Sequence, residues 1–427
     1  MLVPHEPKLD PRVGWVIDLC RKIGRTEVIA ATWTTDEPAK EYDGTISIDR
    51  VGVSTTAAPR AHRLLAVANR VGSHPSAHEF AERQGVLTPG ASASARWRHR
   101  AGGIRRWFAN WASYSLLVSA LYRRARVVGV PPTVVVAHDI YGLIPAALLK
   151  RRWGAALVYD SHEYAAQGDL IAPRWQERLT RMVERYFIKR ADRVITVSPP
   201  LARQLERDYR LSGVVSVPNT EPARAARHDL ALHAERGEVR FLLQGQAAPG
   251  RGFERLFELW QGLDDPRALL QVRCPDGAYP EELRTRFAAL FDSGRAVWLD
   301  AVPTTDLVSA ASEADVGVIP YLGPNRNHVY ACPNKLSQYM AAGLAILSTD
   351  LEFIASVLAQ YRCGVVYQPA NAASFREAIA TLVDDPAALV ELRRNALQAA
   401  RDEFNWERVS VAYATVVEDL FSRGRVR

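Results

Sequence analysis

Residues 331–343 read Ala-Cys-Pro-Asn-Lys-Leu-Ser-Gln-Tyr-Met-Ala-Ala-Gly. Pro333 suits the first turn of a helix, where its missing N–H costs nothing, and Gly343 suits the position just past the end. The pattern predicts a helix over residues 333–342. Asn334 and Lys335 then fall in the first turn, beside amides that have no acceptor within the helix. A lysine there opposes the helix dipole, so an anionic partner would account for it; the plainer alternative is a surface lysine at a frayed end. Gln338, four residues after Asn334, shares its face. Apolar runs at 316–320 and 345–348 flank this segment and read as strands, so the unit is strand, loop, helix, strand.

The same alternation extends outward along the chain. Residues 134–137, 156–159, 193–197 and 240–243 are further short apolar runs, and 173–190 and 253–263 carry helical periodicity. The runs are continuous rather than alternating, as expected of parallel strands covered on both faces. The pattern restarts near residue 240, after a turn-like Pro218-Asn219-Thr220-Glu221-Pro222 and a polar stretch. This gives a first domain at 1–225, a second at 226–403, and a C-terminal helix at 404–427 expected to pack back toward the first. The opening strand at residues 1–3 is so short that the start is expected to be clipped.

Ligands of open parallel sheets bind beyond the carboxyl ends of the strands. Four candidate groups on the strand-to-helix loops therefore carry the chemistry. The first is Gly245-Gln246-Ala247-Ala248-Pro249-Gly250-Arg251-Gly252, where glycines allow close backbone approach and Arg251 adds a phosphate-matching fork. The second is the 331–343 segment. The third joins His138 and Asp139 with Glu163, which either faces a ligand or caps a helix. The fourth is the first loop, with Asp10, Pro11 and Arg12; Pro11 at a helix start is its plain explanation, and Asp10 and Arg12 are candidate acceptor contacts.

The 427 residues are 48% hydrophobic and 24% charged, a composition that fits two globular domains. No apolar run reaches the ~18 residues of a membrane span, and the first 30 positions lack the order of a secretory leader. Cys20, Cys274, Cys332 and Cys363 fit neither a zinc site nor a disulfide framework, so reduced thiols in a cytoplasmic protein are expected. Residues 1–210 hold 32 Lys and Arg against 20 Asp and Glu; residues 211–427 hold 22 against 27. The basic first half predicts an anionic partner. Its strongest segment, Arg96–Arg126, has eight arginines and no carboxylate, with Trp97, Trp107, Phe108, Trp111 and Tyr114 interleaved. This pattern matches an interfacial membrane contact, or a packed helix with solvated arginines. Nucleic acid is not expected, because no recognised module accompanies the charge.

The 331–343 segment resembles the donor-site helix of the retaining GT-B glycosyltransferases, which often reads Pro-Asn-Lys-Leu-Phe-Glu-Tyr-Met-Ala-Ala-Gly. The 245–252 loop is similar to that family's Gly-Arg-Leu-x-x-x-Lys-Gly loop. Counterparts also exist for His138-Asp139, for residues 159–163, for 190–198 and for 314–320. The resemblance implies an α/β GT-B fold, with two Rossmann-like domains facing each other across a cleft. It implies a transferase that moves a sugar, with retention and without metal or cofactor, from a nucleoside-diphosphate-sugar donor to a glycan or lipid-linked acceptor. An epimerase or hydrolase on the same fold, or a catalytically silent binding subunit, is the alternative. The implied donor set is Gly245, Gln246, Val302, Tyr330, Asn334, Lys335, Gln338 and Arg251, with His138 and Glu163 catalytic. The implied partners are the donor and the acceptor; the basic segment Arg96–Arg126, read by itself, adds an anionic surface at the inner membrane face. Three departures stand out. Gln246 replaces an arginine, and Tyr330 and Gln338 replace a pair of glutamates eight positions apart.

Overall fold

The computed structural model describes all residues except 8–9, 33–39, 44, 53–113, 169–173, 228–229, 231–236, 324 and 426–427. It divides into two compact units, Met1–Val217 with Val411–Arg427, and Pro218–Ser410. Both are Rossmann-like α/β layers, as the alternation predicts.

In the first unit the strands are β1 (Leu2–Val3), β2 (Thr26–Thr32), β3 (Lys40–Asp43), β4 (Ile46–Gly52), β5 (Val134–His138), β6 (Ala156–Ser161), β7 (Arg193–Thr196) and β8 (Val215–Ser216). They form one sheet in the order β3-β4-β2-β1-β5-β6-β7-β8. Every pair is parallel except β3 with β4. The helix Pro11–Ile23 starts where Asp10 caps the Arg12 amide and Pro sits in the first turn, as the sequence of that loop dictates. One side of the sheet buries Val3, Val28 and Ala30 against Val13 and Ile17 of this helix. The chain runs outward from β1 to β2, then returns to β5 on the other side. The loops after β1 and β5 therefore diverge at a topological switch point, where such sheets open a crevice.

The second unit has β9 (Val239–Gln244), β10 (Ala268–Arg273), β11 (Ala296–Leu299), β12 (Val316–Ile319), β13 (Ala345–Thr349) and β14 (Gly364–Tyr367). All are parallel, in the order β11-β10-β9-β12-β13-β14. The switch point here lies between β9 and β12. An aromatic core anchors the sheet: Trp260 meets Phe241 edge-on at 5.2 Å, and Phe257 meets Phe287 at 5.2 Å. Such geometry adds to the large area these rings bury. The helix Asn334–Ala342 is buried from Lys335 through Ala342, which its Met-Ala-Ala packing sequence allows.

The division after Val217 precedes the boundary expected at residue 225. The segment from 218 belongs to the second unit because it is bonded there. Asn219 Nδ2 donates to Cys332 O at 3.0 Å, the Glu221 amide to Ser337 Oγ at 3.0 Å, and the Arg227 amide to Ala341 O at 2.9 Å. The last helix, Trp406–Arg425, passes from one unit to the other. Within the first, the buried Tyr413 hydroxyl donates to Asp160 Oδ2 at 3.3 Å. No helix among the described residues is long and apolar enough to cross a membrane.

Candidate active site

In the second unit, β9 is followed at once by Gly245, whose φ of 114° lies outside the range most side chains tolerate. The loop closes at Gly252, with φ of 84° and a position where a Cβ would lie 1.7 Å from Pro320 O. Only glycine fits there, so the loop after β9 is seated directly on the end of β12. Tyr339 tightens the same seam: its hydroxyl accepts from the Gln244 amide at 2.8 Å.

Into this seam the helix Asn334–Ala342 brings Lys335. Its Cε and Nζ lie 3.7 and 3.8 Å from where a Gly245 Cβ would stand. Nζ is 5.2 Å from the Tyr321 ring centroid, and Tyr321 in turn stands 5.7 Å from the His328 ring. Arg251 belongs to the same group; its Nη1 donates to Gln246 O at 3.2 Å. Burial, reinforced by the Arg251 charge, pushes the Lys335 ammonium down to about 7. The same two causes push His328 down to about 4. Three buried atoms here have no hydrogen-bond partner among the described residues: Lys335 Nζ, His328 Nδ1 and Asn334 Oδ1. Pro333 precedes the helix as a cap without a side-chain acceptor for its first amides. Repelling cations, an unsatisfied ammonium and open amides at one strand end are what an anion would complete.

In the first unit, the ends of β1, β5 and β6 bring together a polar network. His138 is fully buried and its Nδ1 lies 2.9 Å from His162 Nε2. His162 Nδ1 is 3.1 Å from Asp10 Oδ2 and 3.8 Å from Asp139 Oδ2. Asp139 opens its helix with φ of 54°, a strained conformation for a non-glycine residue that aims its carboxylate at His162. Burial opposes an imidazolium at His162, yet Asp139, Asp160 and Asp10 overcome it and hold its pKa well above the ordinary value. Burial pushes His138 the other way, down to about 3. The charged His162 then donates to His138 Nδ1, so the neutral His138 carries its proton on Nε2. That buried Nε2 has no partner among the described residues and is a donor suited to a hydroxyl.

His138, Asp160 and His162 offer ligand-type atoms within 4.8 Å of one another. Those atoms are already committed. Arg12 holds Asp160 through Nε at 3.1 Å and Nη2 at 2.8 Å, and the two imidazoles share a proton. A cation would have to displace that proton and compete with the guanidinium.

The candidate residues separate into groups. Gly245, Gln246, Arg251, Asn334 and Lys335 converge at one strand-end seam. His138 and Asp10 converge in the other network, where Asp10 is both a helix cap and the partner of His162. Arg12 requires a correction: it is 1% exposed and bound to Asp160 and, through Nη1 at 2.8 Å, to Val217 O. It is a structural ion pair rather than an acceptor contact. Glu163 is exposed, its carboxylate lying over Gly168, where a Cβ would come within 2.6 Å of Oε1. Val302 is half-buried between β11 and the turn at Thr304–Asp306. Tyr330 closes the short helix Arg326–Val329. Gln338 is 6% exposed and bonded to the Glu221 carboxylate, which burial holds above its ordinary pKa. Tyr321, His328, Glu221 and the charge state of His162 are not singled out by sequence, because each acts through a neighbour that only the fold supplies. Of the basic segment, residues 96–113 lie outside the described residues. Beyond them, Arg124 pairs with Asp49, and Tyr114 stacks on Tyr141 at 4.1 Å.

Comparison with known proteins bears on the family and the fold. Residues 58–220 match the glycosyl transferase 4-like domain, and residues 233–385 match glycosyl transferases group 1. The chain is 22% identical over 304 residues to a D-inositol 3-phosphate glycosyltransferase of Corynebacterium glutamicum, covering 65% of this chain and 70% of that one. Its fold is similar to sucrose-phosphate synthase from Thermosynechococcus elongatus, with a TM-score of 0.69 at 16% identity over 99% and 98% of the two chains. It is also similar to an Anabaena protein solved with UDP and glucose, with a TM-score of 0.62 at 14% identity over 99% and 98%. With a 4-like domain in its first half and a group 1 domain in its second, this GT-B chain belongs to the glycosyltransferases.

Proposed function

We propose that the enzyme takes a nucleoside-diphosphate sugar as donor and transfers the sugar to a glycan or lipid-linked acceptor, with retention and without a metal. The observation that carries this reading is the buried Lys335 ammonium beside Gly245, which has no hydrogen-bond partner among the described residues, with Arg251 adjacent. Two cations and the first-turn amides of the helix Asn334–Ala342 supply the positive charge that a leaving diphosphate needs. The bond from the anomeric carbon to the diphosphate oxygen breaks as the acceptor oxygen attacks the same face, and the acceptor proton passes to the departing diphosphate. Catalysis is then positioning and charge stabilisation, with the His138 Nε2 proton available to a sugar hydroxyl. Four buried free thiols fit a cytoplasmic setting.

Calorimetry with UDP, GDP, dTDP and ADP identifies the base. Arg251→Ala is expected to weaken the bound diphosphate by about 1.5–3 kcal/mol, the range of charge-assisted hydrogen bonds. Unchanged affinity in both Arg251→Ala and Lys335→Ala overturns the assignment. Turnover of the sugar nucleotide in the absence of any acceptor would point to an epimerase or hydrolase instead.

A further inference from the structure

The helix Arg174–Ile188 of the first unit has two unlike faces. Glu184 and Ile188 are buried. On the opposite side Trp175, Met182 and Tyr186 are 41%, 64% and 58% exposed. At the helical repeat these three residues fall within an arc of about 40°. Arg174, Arg178, Arg185 and Lys189 are exposed along one flank of that arc. On the other flank the Arg190 guanidinium lies 3.5 Å from the Tyr186 ring centroid. The nearby carboxylates are withdrawn from this face: Glu184 is buried, and Glu177 is bonded to Arg181 and Gln167.

A narrow apolar line with a Trp and a Tyr, edged by cations along its whole length, is the pattern of a helix lying in a lipid interface. A globular protein partner would instead require a broader apolar patch with a polar rim. We propose that this helix docks the enzyme on an anionic lipid bilayer, with Trp175, Met182 and Tyr186 entering the headgroup layer and the flanking cations meeting lipid phosphates. The inference is independent of the donor reading and of the arginine-rich segment before residue 114. Such docking would bring a lipid-borne acceptor to the protein.

The four native cysteines are buried, so Met182→Cys can be labelled selectively with a polarity-sensitive fluorophore on the full chain. Emission is expected to shift to the blue on phosphatidylglycerol–phosphatidylcholine vesicles at low salt. The shift should be absent on pure phosphatidylcholine and reversed by salt, because the screening length falls to about 3 Å at 1 M. In sedimentation, Arg178→Glu with Arg185→Glu and Lys189→Glu should lower partitioning at least about tenfold, with the thermal midpoint and nucleoside-diphosphate affinity unchanged. Should the triple variant misfold, the single exposed change Met182→Glu gives the same test. No shift on anionic vesicles, an equal shift on neutral ones, or partitioning unaffected by these changes overturns the proposal.

Discussion

A lysine held near neutrality has a measurable signature. Lys335 is pushed from 10.5 to about 7 by burial and by Arg251. The unfolded chain therefore binds more protons than the folded one between those values. The penalty is full below pH 7 and is relieved as pH rises toward 10.5. A bound diphosphate reverses the balance by favouring the ammonium. Binding a nucleoside diphosphate at pH 8 should take up close to one proton, read as a dependence of calorimetric heat on buffer ionisation enthalpy. Affinity should fall as pH rises above 7. Lys335→Met should abolish the uptake; uptake that survives in this variant assigns it elsewhere. Gln338 makes a second case. Its bond to Glu221 means that Gln338→Glu sets a buried carboxylate beside the half-buried one of Glu221. The cost should be about 1–3 kcal/mol at pH 7. It is lost as pH falls through the raised pKa, and Glu221→Gln in the same chain should recover most of it, as a double-mutant cycle would report. Arg251 and Lys335 are legible in sequence because a cation beside a glycine-rich loop or a proline-started helix is a local pattern. Glu221 and His328 are not, since their meaning comes from residues far away in sequence. Arg12 misleads for the same reason: nothing local marks Asp160 as its partner.

Elements are more legible than residues where both faces of a strand are covered. The apolar blocks of β5, β6, β9, β12 and β13 announce themselves, whereas β3 and β4 carry Lys40, Glu41, Asp49 and Arg50 and blend with loops. Arg50 is nonetheless buried, held by Glu6 at 2.8 Å, an arrangement no periodicity predicts. The joint between elements in the second unit is likewise ionic. Arg393, from the helix Pro386–Asp402, donates to Asp315 Oδ1 at 2.7 Å and to Gly343 O at 3.0 Å. Asp315 Oδ2 accepts from the Arg240 amide at 3.0 Å. One buried pair thus fixes the start of β9, the start of β12 and the end of the helix Asn334–Ala342, whose other end carries Lys335. Arg393→Ala leaves Asp315 buried with its charge unpaired, and should cost about 3–5 kcal/mol. Arg393→Met with Asp315→Leu should cost less than Arg393→Ala alone. Denaturant midpoints decide it, and a loss below about 1 kcal/mol in Arg393→Ala would show that water reaches the pair.

Across the whole molecule, buried ionisable groups set opposed responses to pH. Burial pushes Glu184 up to about 7, against hydrogen bonds from the Tyr209 and Tyr159 hydroxyls at 2.5 and 2.9 Å. Its ordinary value is 4.5, so between 4.5 and 7 the folded first unit holds a proton that the unfolded chain has released. Stability falls as pH rises through that window. His138 acts in the other direction. Its pKa falls from 6.5 to about 3, so the unfolded chain binds the extra proton, and stability rises with pH up to 6.5. In the shared interval, from 4.5 to 6.5, the two slopes oppose and largely cancel in the native protein. Glu184→Gln keeps an acceptor for the tyrosines and removes only the titration. Its stability relative to the native protein should climb from pH 4.5 to 7 and level off, by an amount on the order of 3 kcal/mol for the full shift. His138→Asn should do the reverse, losing ground as pH rises to 6.5. Urea midpoints of the first unit's transition at half-unit intervals test both arms. Parallel profiles for native and Glu184→Gln protein would mean that Glu184 ionises inside the fold as it does in water, and that the tyrosine cage offers it no protection from solvent.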